Sequence, residues 1–233
     1  MIILVFNQKG GVGKTTTTLN LGVGLARYGN LPVTLVDLDP QTHLTAALGF
    51  QAEEFSWNVT SWLQGQTGEF QKIDENLSLV VGDISPPLNL EIVKKPLETK
   101  GIIIVDAPPF WNSTVAYLML HCDWILTPLE PEFMSMQGIS RLLQTMEKLH
   151  VSRQKLRLLL CRTDSRLVTH REIRESLQQR FSENLIKGMI RNNIRIAEAP
   201  AYGMNIFDYA PDSAGANDYY SLTQYWLRQI TSG

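Results

Sequence analysis

Apolar positions along this chain fall into two alternating kinds of stretch. Short, mainly apolar runs at Ile2–Phe6, Leu31–Val36, Leu77–Val81, Ile102–Val105, Trp124–Leu129, Leu156–Cys161 and Leu185–Ile190 have the length of buried strands. Between them, spaced apolar positions predict helices over Thr15–Tyr28, Thr42–Leu48, Phe133–Leu149 and Ala214–Ile230. Tyr28-Gly29-Asn30 is a helix stop signal. Thr169-His170-Arg171-Glu172 has the form of a capping box for a helix reaching Phe181, with Ile173, Leu177 and Phe181 facing inward. A short helix is expected after the break at Ser85-Pro86-Pro87, running to Glu98. Gln51–Lys72, with Trp57, Trp62 and a turn at Gly65-Gln66-Thr67-Gly68, follows neither pattern. Strands that alternate with helices predict an α/β fold: a mainly parallel, twisted sheet with helices on both faces.

The first strand runs into Lys9-Gly10-Gly11-Val12-Gly13-Lys14-Thr15-Thr16 and then into a helix. Strand, Gly-rich loop and helix form the context that a phosphate-binding loop needs. Gly10, Gly11 and Gly13 permit backbone conformations closed to other residues and leave room for a close ligand. The loop N–H groups then converge on phosphate oxygens at the positive end of a helix. Lys14 can reach the β- and γ-phosphates, and Thr15 can offer its hydroxyl to Mg²⁺. The common first glycine of such loops would stand at position 8, where this chain has Gln8, and Lys9 adds a second lysine.

In these residues the chain resembles the ParA/MinD family of dimerising ATPases, whose phosphate loop is a deviant Walker A. The resemblance extends over nearly the whole chain and is weakest in residues 51–100. It implies a P-loop NTPase with ATP or ADP and Mg²⁺ as cofactors, the nucleotide held by Gly10, Gly11, Val12, Gly13, Lys14, Thr15 and Thr16. It implies that Lys9 crosses a dimer interface to touch the partner's ATP. Val36-Asp37-Leu38-Asp39-Pro40-Gln41 is similar to the family's second motif, in which Asp39 would orient the attacking water and Asp37 would support the metal site. Carboxylates are weak bases at neutral pH, so positioning is the role expected of Asp39. Ile102–Asp106 resembles Walker B, with Asp106 reaching Mg²⁺ through water and Ala107-Pro108-Pro109 sensing the nucleotide. In relatives the loop at Pro211-Asp212 packs on the adenine base. Arg195 with Glu198-Ala199-Pro200 resembles a ParA signature, although Arg191-Asn192 stands where many relatives have Pro-Arg.

Charge changes the picture further along the chain. The formal net charge is −2, yet residues 1–140 hold 7 Lys and Arg against 14 Asp and Glu, while residues 141–233 hold 14 against 9. Such asymmetry is a hint of a polyanion-binding face. Arg162, Arg166, Arg171, Arg174, Arg191 and Arg195 are candidates for nonspecific contact with DNA phosphates. With the resemblance, these features imply a partition ATPase. It would form a homodimer with ATP, bind nucleoid DNA, and be released when a ParB-like adaptor stimulates slow hydrolysis. Its cargo would be a plasmid, a chromosome or a protein assembly.

The expected organisation is one ATPase domain over residues 1–233, without an N-terminal helix-turn-helix extension, in a cytoplasmic, nucleoid-associated protein. No apolar run has the ~18 residues of a membrane-spanning helix. A MinD-like membrane cycle would call for a basic amphipathic C-terminal helix, and Trp226–Gly233 carries one basic residue. A redox relative with a shared iron–sulfur cluster would call for cysteines in Gly-rich loops. Cys122 and Cys161 instead lie in apolar surroundings, as buried reduced thiols do.

Overall fold

The computed structural model describes residues 1–84 and 101–231. Among them one sheet is built from β1 (Ile2–Val5), β2 (Val33–Asp37), β3 (Gln71–Asp74), β4 (Leu77–Val80), β5 (Ile102–Asp106), β6 (Trp124–Leu129), β7 (Leu156–Thr163) and β8 (Leu185–Arg191). Their order across the sheet is β3-β4-β2-β5-β1-β6-β7-β8. Only the edge pairing of β3 with β4 is antiparallel; the pairings within β4 to β8 are parallel. The central strands β1, β2 and β5 are the most continuously apolar in sequence and are almost entirely buried, as a sheet covered on both faces requires.

One face is covered by α1 (Lys14–Gly29) and α9 (Ala214–Thr231), joined by the short helices α2 (His43–Ala47) and α8 (Ile206–Tyr209). There Leu19, Leu21 and Leu25 meet Tyr219, Leu222 and Trp226, and Trp226 lies edge-on to Trp124 with ring centres 5.8 Å apart. The opposite face carries α3 (Val59–Leu63), α4 (Ser113–His121), α5 (Phe133–Lys148) and α6 (Val168–Arg180). Each fully buried aliphatic side chain in these layers contributes about 1.5–3 kcal/mol. That makes the sheet a stiff base for the loops at its ends. The short α7 (Ile194–Glu198) follows β8.

Three features depart from the sequence expectations, and a fourth expectation falls on residues that are not described. The irregular stretch after Gln51 contains a 3-10 turn at Ala52–Glu54 and helix α3, capped by the Asn58 side chain, and ends in edge strand β3. Helix α4 was not expected, because its sequence is apolar on nearly every side; its start is fixed by Asn112, whose side chain accepts from Val115 N at 2.7 Å. The capping box at Thr169 does not form. A turn closed by Leu167 N to the Asp164 carbonyl, with Asp164 N donating to His170 Nδ1, delivers the chain into α6 at Val168, so Thr169 lies inside the helix. The helix expected up to Glu98 lies outside the described residues.

Candidate nucleotide site

Because the central strands are parallel, their C-terminal ends gather at one edge of the sheet, where ligands of open α/β folds bind. The loop after β1 opens there, with Asp37 ending β2 and Asp106 ending β5 on adjacent strands in direct register. Gly11 at φ 76° and Gly13 at φ 93° take left-handed conformations, which turn the loop around an open concavity. Asn7 shapes its entry: its amide donates to the Pro128 carbonyl at 2.7 Å, and its Oδ1 accepts from Lys9 N at 3.0 Å. Gly13 caps α1, whose first turn carries no acidic side chain, so the helix presents unshielded N–H groups to an anion.

Lys14 is buried beneath the loop, its Nζ donating to the Lys9 carbonyl at 3.2 Å. Burial lowers its pKa, and the Asp106 and Asp39 charges only partly restore it. Asp106 is fully buried, and burial together with Asp37 raises its pKa well above the usual carboxylate range. Its Oδ2 accepts from Thr15 Oγ1 at 2.6 Å, while Oδ1 has no hydrogen-bond partner. A buried cation short of an anion and a buried carboxylate oxygen short of a donor form a site made for a ligand bearing both signs. Thr15 and Asp106 fit Mg²⁺, which binds through one or two protein oxygens, phosphates and water. Among the described residues no cluster of three His, Cys, Asp or Glu side chains could hold a metal alone.

Asp37, expected to support the metal site, lies beside Asp106 and is engaged by its own chain. Its Oδ2 accepts from Thr45 N (2.8 Å) and Thr45 Oγ1 (2.7 Å), and its Oδ1 accepts from Asp39 N (3.3 Å). The carboxylate therefore braces α2 and the turn that carries Asp39. Burial, offset by Thr45, pushes its pKa up to about 6. Asp39 is buried, with Oδ1 accepting from Gln41 N at 3.0 Å, which fixes the side chain at the rim.

A cavity of about 540 Å³ opens beside the loop, lined among others by Val12, Gly13, Thr16, Arg162, Asn192 and Asn193. Its size and polar wall suit the sugar and base of a nucleotide. Pro211, expected at the base, is exposed and is not among the lining residues. Cys161 also lines the cavity, but burial pushes its thiol up to about 12, as it does Cys122, and both stay protonated and free.

Lys9 leaves the loop altogether. Its Nζ pairs with Glu132 at 2.7 Å and Glu130 at 2.9 Å, and Arg162 reaches Glu130 from the other side at 2.9 Å. The sequence reading gave Glu130 and Glu132 no role, although both follow a strand end, as Asp39 does. The other DNA candidates are scattered around the same sheet edge. Arg166 pairs with Asp164, Arg191 with Asp218 and Arg195 with Glu198, while Arg171 and Arg174 lie exposed on α6.

Comparison with known proteins gives a consistent result. The family described as the CobQ/CobB/MinD/ParA nucleotide binding domain matches residues 3–206. The chromosome-partitioning ATPase Soj of Thermus thermophilus is 32% identical, over 98% of this chain and 96% of its own. Two solved structures share the fold. A candidate plasmid partition protein of Borrelia burgdorferi, bound to AMPPNP, has a TM-score of 0.82 at 19% identity, covering 98% of each chain. The septum site-determining protein MinD of Pyrococcus horikoshii, complexed with Mg-ADP, has 0.76 at 24% identity, covering 96% of this chain and 94% of its own.

Proposed function

Since this chain belongs to the CobQ/CobB/MinD/ParA nucleotide-binding family, we propose that it is a partition or positioning ATPase. Its ATP form is a two-fold dimer that holds DNA without sequence preference, and an adaptor of the ParB kind releases it by stimulating hydrolysis. The observation that carries this reading is the division of labour between two loop lysines. Lys14 is buried against its own loop, its ammonium held by the Lys9 carbonyl, whereas the Lys9 side chain extends out of the site to the exposed rim. Once released from Glu130 and Glu132, a cation at that rim can serve a phosphate on a second subunit, which ties dimerisation to ATP. Phe133 and Met134, large apolar side chains left exposed beside the Glu132 rim, are surface that such a dimer would cover.

The chemistry follows from positioning and charge. The loop amides and Lys14 bind the β- and γ-phosphates and neutralise charge that grows on the bridging oxygen. Thr15 and Asp106 would hold Mg²⁺, which supplies further neutralisation of the phosphate oxygens when bound. Asp39, held by Gln41 N, orients the attacking water. Arg195, with Arg171 and Arg174, reaches DNA phosphates. The pair of Arg195 with Glu198 is half exposed, and a surface pair of that kind is readily exchanged for a phosphate.

The test is fluorescence anisotropy with a random duplex at two salt concentrations, with ATP, ADP or no nucleotide. Binding is expected only with ATP and is lost in Lys14→Ala. Each of Arg195→Ala, Arg171→Ala and Arg174→Ala should lower the salt slope by about 0.9 per subunit in contact, about 1.8 for the dimer. No binding in any state would remove DNA from the function.

A further inference from the structure

The contact that holds Lys9 joins two parts of the site. Glu130, the residue after β6, has a side chain only 13% exposed. Its backbone is fixed by Ser135, whose hydroxyl donates to the Glu130 carbonyl at 2.6 Å. One of its oxygens accepts from Lys9 Nζ at 2.9 Å and the other from Arg162 Nη1 at 2.9 Å. Arg162 takes a left-handed backbone, φ 52°, near the end of β7, and lines the cavity beside the phosphate loop. Such a conformation is unfavourable for a long side chain and persists only where its surroundings hold it. Glu132, at the exposed rim, completes the clamp and holds the Lys9 ammonium above its usual pKa range. A lysine engaged by two carboxylates of its own chain is not free to serve a phosphate elsewhere.

We propose that Glu130 is the positioning residue for Lys9, a latch within the subunit that must open before Lys9 can reach a second copy of this chain, with Arg162 setting its strength. The sign for Arg162 is set by charge. Its guanidinium neutralises part of Glu130, so removing it leaves the carboxylate to Lys9 alone and tightens the hold. The latch rests on the reading of Lys9 as a contact between subunits, and its test separates the two.

The first measurement is made without nucleotide, on the full chain. Lys9 is acylated with an amine-reactive ester and its rate is followed by peptide mass spectrometry against exposed Lys187. Glu130→Gln should speed Lys9 labelling about 1.5- to fivefold, the range for a partly exposed ion pair. Glu132→Gln, at an exposed position that tolerates the change, should speed it also, and Arg162→Met should slow it. The second measurement is mass by light scattering with a non-hydrolysable ATP analogue. Two latches open per dimer, so Glu130→Gln should raise the dimerisation constant by the square of the labelling effect, about two- to twenty-five-fold. Labelling unchanged in both Gln variants would overturn the latch. So would faster labelling with wild-type dimerisation unchanged by Glu130→Gln. Wild type and Glu130→Gln both monomeric with the analogue would overturn the reading of Lys9 between subunits, and the latch with it.

Discussion

Asp37 offers the sharpest test of how this site is built. It is a fully buried carboxylate at the end of β2, and its pKa is about 6 in the fold against an ordinary 3.8, chiefly because burial disfavours the charge. Two units correspond to about 3 kcal/mol. The folded state binds this proton more tightly than the unfolded chain does. Stability from Asp37 is therefore greatest below about pH 4, falls as pH rises towards 6, and is level above that. Asp37→Asn keeps the volume and removes the titration. It also brings a constant loss of roughly 1–3 kcal/mol, because an amide cannot accept from Thr45 N, Thr45 Oγ1 and Asp39 N together. The assay is urea unfolding of both proteins from pH 4 to 7.5, in EDTA and without nucleotide. The stability of wild type minus that of the variant should fall by about 3 kcal/mol across the window. A flat difference, or one that rises with pH, would mean that the Thr45 donors outweigh burial, and the reasoning would be refuted. The same variant separates scaffold from ligand. Asp37→Asn should leave the Mg²⁺ dependence of nucleotide binding intact, and Asp106→Asn should remove it.

Two further substitutions probe the frame around the site. A Cβ on Gly24 would lie 2.1 Å from Thr223 Oγ1, where α1 meets α9, so Gly24→Ala should cost about 1–3 kcal/mol by denaturant unfolding. Thr223→Ala in the same chain should recover part of it, and a purely additive double variant would rule out this contact as the cause. At Gly13 a Cβ meets nothing within 4 Å, yet φ is 93°. Gly13→Ala should therefore cost about 1–2 kcal/mol through backbone strain alone, with weaker nucleotide binding by calorimetry; an unchanged loop would show that the left-handed turn is not needed.

The parts of the fold legible in the sequence are those where one force dominates. Runs such as Ile102–Val105 are buried on both faces and have no alternative to a central strand. The phosphate loop is legible because Gly11, Gly13, Lys14 and Thr15 act through the backbone and through their immediate neighbours. What stayed hidden depends on partners far along the chain. Helix α4 lacks a polar face to set a period, and β3 exists only as an edge against β4. Asp37 could be recognised as a site carboxylate, but Thr45, eight residues on, turns it into a brace. Glu130 lies 121 residues from Lys9 and 32 from Arg162, so no local pattern could have joined the three.

Charge shows the same division. The basic excess of residues 141–233 is not a free field, because four of the six candidate arginines are ion-paired within the fold. Those pairs differ in what a phosphate would have to displace. Asp218 is 11% exposed and takes three hydrogen bonds from the Arg191 side chain, so freeing Arg191 would strand a buried carboxylate. Freeing Arg162 would shift Glu130 wholly onto Lys9. The Arg195 pair rests on one side-chain hydrogen bond to a Glu198 that is 36% exposed, where an ion pair adds little and exchange is easy, whereas Arg166, itself far out in water, donates three to Asp164. The surface available to a polyanion is therefore the outer one, around α6 and α7. The inner arginines serve the nucleotide cavity and its latch, and parallel strands bring both sets to the same edge of the sheet.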